Sequence, residues 1–255
     1  MRKITKYVII DILKNKIVIG YTFLLLVLSF SVLSLEDNSA KAVLTLLNII
    51  LIMVPLVNIL FASVYVYNSA EFMELMASQP LKRRQIWFSV YLGLSISLAI
   101  AFLLGVGLPV LLYAASITGY TLILVGLLLS LIFVSIAMFA VVRIRDKAKG
   151  IGMAILLWLY FALLFDGLVL FILFQFEDYP LEKAMVALSL LNPVDIGRIM
   201  VLIKTDASML MGYTGAIFRN FFGATNGQLI TSLVLLAWII IPFWLSSIKF
   251  RKKDL

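Results

Sequence analysis

Few side chains in this 255-residue sequence combine a reactive type with a suggestive position. Asp166 interrupts the apolar run Leu163-Leu164-Phe165-Asp166-Gly167-Leu168-Val169-Leu170-Phe171. A charge at the centre of a bilayer costs ~2.5–3.5 kcal/mol on insertion scales and is often functional. Asp166 therefore reads either as a relay or substrate contact, or as a structural carboxyl hydrogen-bonded inside a helix bundle. Met200, Met209 and Met211, with Met185 nearby, offer thioethers, which suit Cu(I). They serve equally as flexible packing filler, and no metal site is assigned to them. Glu71 and Glu74 lie in a short polar stretch that also carries Phe72, Met73, Leu75 and Met76; a second polar stretch holds Arg143, Arg145 and Lys147. Asn192, Pro193, Asp195 and Arg198 form the most patterned stretch of the C-terminal half.

What is missing excludes more chemistry than these residues supply. The chain has no cysteine and no histidine. Thiolate zinc sites, iron–sulfur clusters, His- or Cys-ligated haem and Ser–His–Asp or Cys–His catalysis are closed to it. The glycine groupings 105–107, 150–152 and 223–227 follow no strand, and no G-x-x-x-x-G-K-[ST] occurs, so the chain has no ATP-binding loop of its own. Glycines of this kind are expected at helix contacts. We assign it no catalytic residue.

The elements that must position these residues are membrane helices. Hydrophobic residues make up 64% of the chain and charged residues 13%, about half the share in a soluble domain. Six continuous apolar runs, near 17–35, 43–67, 87–114, 118–142, 151–176 and 228–248, each reach the ~20 residues needed to cross a bilayer. Continuous Leu- and Ile-rich runs favour helices over alternating barrel strands. The fold class expected is an all-α integral membrane protein with six transmembrane helices. The first run is long enough to span and is expected not to be a cleaved signal.

Charge gives sidedness. Sixteen of the 21 Lys and Arg residues fall in 1–16, 69–86, 143–149 and 249–255. Lys41, Lys183, Arg198, Lys204 and Arg219 fall on the other side. A Lys/Arg excess marks the cytoplasm, so both termini are expected there, in an inner membrane. The net charge of +8 is thereby assigned to the lipid surface and not to nucleic acid.

The polar segments divide this single 1–255 domain. Residues 1–16 read as a cytoplasmic amphipathic entry helix. Residues 69–79 read as a short amphipathic helix, with Asn68 and Glu71 spaced as a capping box and Pro80 stopping it. Glu71, Glu74 and Ser78 are expected on one face, and Phe72, Leu75 and Met76 on the other. Residues 177–227, outside the membrane, are expected to form a helical subdomain. Asn192 as cap, Pro193 at the first helical position and Asp195 near the positive end predict a helix running to about Lys204. Asp206 is expected to cap another ending near Gly223. Pro55, Pro109 and Pro242 are expected to kink their spans.

This order of parts resembles a type-2 ABC transporter permease over essentially the whole chain. The stretch Glu71-Phe72-Met73-Glu74-Leu75-Met76-Ala77-Ser78-Gln79-Pro80-Leu81-Lys82-Arg83 is similar to that family's coupling region. Leu191-Asn192-Pro193-Val194-Asp195-Ile196-Gly197-Arg198-Ile199 is similar to a stretch of the subgroup that serves maturation of the copper enzyme nitrous oxide reductase. The resemblance implies a homodimer of permeases and two cytoplasmic ABC ATPase subunits, which would carry ATP and Mg; this chain itself would hold no cofactor. For the subgroup it implies a periplasmic copper-binding β-helix partner. It places ATPase coupling on Glu71, Phe72, Met73, Glu74, Leu75 and Met76 and on Arg143, Arg145 and Lys147. It places external partner contact on Asn192, Pro193, Asp195 and Arg198. The spans depart from a metal channel in carrying no His or Cys, which argues against copper passing through them. A lipid, drug or polymer exporter of the same architecture, or a membrane-embedded enzyme built on Asp166, are the competing readings.

Overall fold

A computed structural model describes residues 2–36, 38–176, 182–205, 221 and 225–251. Among these residues the chain is helical: α1 (Arg2–Leu13), α2 (Lys16–Leu35), α3 (Ser39–Asn68), α4 (Ala70–Ala77), α5 (Arg83–Phe102), α6 (Leu108–Tyr113), α7 (Ile117–Arg143), α8 (Lys147–Leu159), α9 (Phe165–Gln175), α10 (Glu182–Leu190), α11 (Pro193–Leu202) and α12 (Thr225–Arg251). Five-residue π-helical turns at Leu103–Gly107 and Tyr160–Leu164 join α5 to α6 and α8 to α9. Six helical stretches are long and apolar enough to cross a membrane: Lys16–Leu35, Ser39–Asn68, Arg83–Tyr113, Ile117–Arg143, Lys147–Ile172 and Gly227–Arg251. These are the six spans read from the sequence.

Several helices start where a small polar side chain takes a free backbone N–H. Asn15 accepts from Ile17, Asn38 from Ala40 and Lys41, Ser116 from Gly119, and Asp146 from Lys149. Side-chain caps of this type stabilise a helix by about 1 kcal/mol. Of the three prolines expected to kink spans, Pro109 has the clearest local effect. It lacks an N–H and its ring clashes with the carbonyl four residues back, and the π-helical turn stands immediately before it. Pro55 and Pro242 sit inside unbroken helices.

Spans two and four form the centre. Their buried faces carry Leu46, Leu47, Ile50, Leu51 and Val54 on one side and Leu122, Val125, Leu129, Ile132 and Phe133 on the other. Span four also packs on spans three and six. Gly126 receives the fully buried ring of Phe102; a Cβ there would overlap that ring. Large apolar side chains such as Phe23, Leu156, Phe171 and Leu233 point outward, as expected of helices that meet hydrocarbon rather than water.

The bundle has two ends. The near end gathers α1, α4, the turn at 144–146 and the C-terminal part of α12. The entry helix α1 is packed against α5, with Val8 and Ile12 fully buried. The far end gathers the start of α3, the 114–116 turn, α10 and α11. The 177–227 region was expected as a subdomain outside the spans. Its α11 instead lies lodged against α7 and α3, where Gly197 meets Val125, Leu129 and Leu51. A Cβ at Gly197 would come within 2.8 Å of Val125, so only glycine lets the two helices approach this closely. The helix expected from Asp206 to about Gly223 lies outside the described residues.

Candidate functional site

The polar residues singled out by sequence gather at the two ends of this apolar bundle. At the near end, α4 leaves span two through Ser69 and is stopped by Pro80. Met73 and Met76 are buried against the chain itself, and Phe72 stacks on Tyr7 of α1 with ring centres 5.4 Å apart. The outward face is Glu71, Glu74, Leu75 and Ser78. Leu75 was expected with the apolar face, yet it is 69% exposed and stands with the glutamates. The spacing 71, 74, 75, 78 is one helical stripe. Of the six α4 residues expected to meet a coupling partner, three are therefore presented outward: Glu71, Glu74 and Leu75. Met73 and Met76 are corrected to internal packing, because α4 lies flat on its own bundle.

The capping box expected at Asn68 is also corrected. Asn68 is the last residue of α3, and Ser69, at the cap position of α4, makes no side-chain cap bond. The Asn68 Oδ1 accepts instead from Lys147 Nζ at 2.7 Å. Beside it the Tyr67 hydroxyl donates to the Ile144 carbonyl at 3.0 Å, and Gly150 leaves room for that ring. Arg143 lies over the Phe139 ring at 4.1 Å, while Arg143, Arg145 and Lys147 are all exposed. The two polar segments singled out by sequence are thus tied into one surface. Its ties run inward as well: Tyr65 donates to Asp11 of the entry helix at 3.0 Å. Tyr7, Tyr65 and Tyr67 were not singled out by sequence, since nothing marks a tyrosine at a helix end as a tether.

At the far end, Asn192 does two jobs. Its Oδ1 accepts from the Val194 N–H at 3.0 Å, which starts α11 where expected. Its Nδ2 donates to the Phe161 carbonyl at 2.9 Å. In the turn at Tyr160–Leu164 the Phe165 N–H reaches back five residues to Tyr160, and the buried Asn192 amide fills the gap at Phe161. Six residues on, Arg198 Nη1 lies 2.7 Å from Asp166 Oδ2 and 3.4 Å from Asp195 Oδ1. So Asn192, Asp195 and Arg198, expected to face an outside partner, converge on span five, Asn192 at Phe161 and the other two at Asp166. Asn192 and Pro193 are buried within the chain. At this end Leu191 and Lys204 are the exposed neighbours. The Asp166 position reads here as the helix-facing carboxyl, paired across two elements.

With both carboxylates ionised, this junction has two negative charges and one positive. Burial, and then the hydrogen bond and charge of Asp166, push the Asp195 carboxyl up to about 7; Arg198 and Asn192 act against the rise. Met185 and Met200 pack among apolar neighbours, Met185 with Val186 and Ile199. Met209 and Met211 lie outside the described residues.

Over 148 residues the chain is 32% identical to a protein named probable ABC transporter permease protein NosY from Pseudomonas aeruginosa, a match covering 54% of this chain and 54% of that one. Over 189 residues it is 28% identical to a protein of the same name from Stutzerimonas stutzeri, covering 70% of this chain and 67% of that one. The chain is NosY-like. The matched stretch spans about half the length of the first relative and two thirds of the second. No family model matches the chain.

For this NosY-like chain, Asn192→Ala tests the far-end junction. It removes a cap, worth about 1 kcal/mol, and a buried hydrogen bond, worth about another. A loss of about 2 kcal/mol in unfolding free energy is expected, measured by denaturant titration of the chain in mixed micelles. Leu191→Ala, at an exposed side chain, should change it by less than about 0.5 kcal/mol.

Proposed function

We propose that this chain is the membrane-spanning permease subunit of an ABC transporter, working as a homodimer in the cytoplasmic membrane with both termini cytoplasmic. The observation that carries this reading is the near-end surface: the outward stripe Glu71, Glu74, Leu75, Ser78 of α4, tied through Asn68 and Tyr67 to the basic turn at 143–149. On this reading the near end is the cytoplasmic one, which agrees with the Lys/Arg excess there. A separate ABC ATPase dimer docks on that surface, binding ATP and Mg in its own sites. A push on Glu71, Glu74 and Leu75 then has defined ways into the membrane. It passes through Phe72 and Tyr7 to the entry helix and through Ser69 to span two. It passes through the Asn68–Lys147 contact to span five, whose far end holds α11.

The NosY-like sequence supports a role in copper-enzyme maturation, specifically of nitrous oxide reductase. The partner outside would be a NosD-like copper-binding β-helix protein, with the copper held by that partner. Because α11 is clamped to span five, motion of that span reaches the outside surface even if nothing crosses the membrane.

The test is co-purification of the tagged chain from native membranes with its partners. Recovery of an ABC ATPase together with a periplasmic β-helix protein is expected, whereas recovery of no ATPase overturns the permease reading. Glu71→Lys combined with Glu74→Lys should reduce ATPase recovery by at least about tenfold, as reversal of rim and contact charges on a docking face does. The same pair should leave the stability of the isolated chain within about 0.5 kcal/mol, because both side chains are exposed. Undiminished recovery with the double variant would remove α4 from the docking surface.

A further inference from the structure

The junction between α11 and span five carries more than structural pairing requires. Arg198 alone would neutralise Asp166, with which it makes the short 2.7 Å contact. Asp195 is a second carboxyl beside that finished pair. Its Oδ1 is buried, accepts no hydrogen bond, and stands at an ion-pair distance of 3.4 Å from Arg198. Asp166 and Asp195 meet the same Arg198 nitrogen, Nη1, which sets the two carboxyls side by side. Two adjacent carboxyls and one guanidinium reach neutrality with one added proton, which also supplies the donor that joins the two carboxyls.

The surroundings offer no other source of charge among the described residues. From span five the facing group is Asp166, and from α11 itself Arg198 and the Asn192 amide. Spans two and four present Leu51, Val125 and Leu129 to α11. Span six presents Trp238 to the neighbouring Phe161 ring and the Leu190 carbonyl. No histidine or cysteine exists anywhere in the chain. No side chain of ordinary acidity therefore titrates between about pH 5.5 and 8.

We propose that the Asp195–Asp166–Arg198 junction is a proton-binding latch that holds α11 on span five when one proton is bound and loosens when it leaves. With the proton, Asp195 donates to Asp166, Asp166 pairs with Arg198, and the cluster is neutral. Without it, two carboxylates face one guanidinium, and Asp195 must draw in water or move away. The Asn192–Phe161 bond stays as the hinge of this movement, because neither of its groups titrates. The sign follows from linkage: a carboxyl held protonated in the folded state stabilises the closed junction at low pH, and that stabilisation is lost as pH rises towards and through its raised value, near 7. The latch does not rest on the proposed function and stands whether or not the chain has an ATPase partner.

The experiment uses the full-length chain in lipid nanodiscs in D2O. Infrared difference spectra between pH 5.5 and 8.5 should show one protonated-carboxyl stretching band that titrates near neutrality. Asp195→Asn should abolish it, and Asp166→Asn should move its midpoint down towards the ordinary carboxyl range. Hydrogen–deuterium exchange, corrected for the intrinsic rate, should show amides 196–202 losing protection by about tenfold per pH unit above the midpoint. In Asp195→Asn, which keeps the shape of the protonated acid, the same amides should stay protected at every pH. If wild type lacks a neutral-range carboxyl band that Asp195→Asn removes, the shared proton is overturned. If the band is present but α11 exchange follows the intrinsic rate alone, the latch is overturned.

Discussion

Replacing Arg198 with Leu is expected to destabilise the chain by about 3 kcal/mol at pH 8. Removing one partner of a buried ion pair costs about 3–5 kcal/mol because the other charge is stranded. Here the Arg198 and Asp166 side chains keep about a third of their surface, which places the expected loss at the lower end of that range. Arg198→Leu strands two carboxylates, Asp166 and Asp195, since Arg198 is the cation within reach of both. Its cost should therefore shrink in acid. Asp195, already held up by burial, would lose the guanidinium that acts against that rise, so the variant regains stability as pH falls and loses it as pH rises. Thermal unfolding in mixed micelles at pH 5.5 and pH 8 reads both numbers, and a loss of 3 kcal/mol corresponds to roughly 6–12 °C for a chain of this size. An equal deficit at the two pH values would show that the guanidinium packs without neutralising anything. The triple replacement of Asp166, Asp195 and Arg198 by Leu removes every stranded charge. By the same physics it should recover most of the loss.

The sequence displayed the spans, their number and the start of α11 because each of these is a local property. Apolar length marks a span, and Asn192-Pro193 marks a helix start, whatever surrounds it. It also marked Asp166 and Arg198, one as an acid in an apolar run and the other as a base on the less basic side. What it could not display is that they meet. They are separated by 32 positions, and their pairing depends on α11 folding back against the spans, which Gly197 permits. From composition alone, residues 177–227 read as polar enough to stand outside. The near end failed in a different way. The helical period itself puts Leu75 four residues from Glu71, on the stripe of the glutamates, and grouping it with Phe72 and Met76 by hydrophobicity overrode that spacing. Glu71, Glu74 and Ser78 were grouped on one face, and Leu75 with Phe72 and Met76 on the other. The structure turns Leu75 outward because the stripe beside it, Met73 and Met76, fills the groove over the bundle. Tyr67, Tyr65 and the Asn68–Lys147 contact had no periodic signature at all.

A related blind spot is Trp87, where the second large effect is expected. Trp87 sits at the start of span three, five residues after Lys82, and is buried. Its Nε1 donates to Ser246 Oγ at 3.0 Å, and its ring stacks on Phe250 with centres 4.2 Å apart. Both partners belong to the last turns of α12, so this side chain fastens span six to span three. In a bilayer the transfer of an indole out of water is not at stake, because lipid is as apolar as the protein interior. What Trp87→Ala removes is contact, and it leaves a hole the neighbours fill only in part. Truncations of this size cost about 3–5 kcal/mol in soluble cores; with the transfer contribution absent, about 3 kcal/mol is expected in denaturant titration. Graded variants separate the causes. Trp87→Phe keeps a ring against Phe250 and loses the bond to Ser246, whose hydroxyl still donates to the Phe243 carbonyl at 2.7 Å. It should cost about 1 kcal/mol. Ser246→Ala leaves the indole N–H buried without an acceptor and should cost about 1–2 kcal/mol. If all three variants lose the same amount, the hydrogen bond and not the packing holds the two spans. If Trp87→Ala loses much more than the other two, the ring contact does.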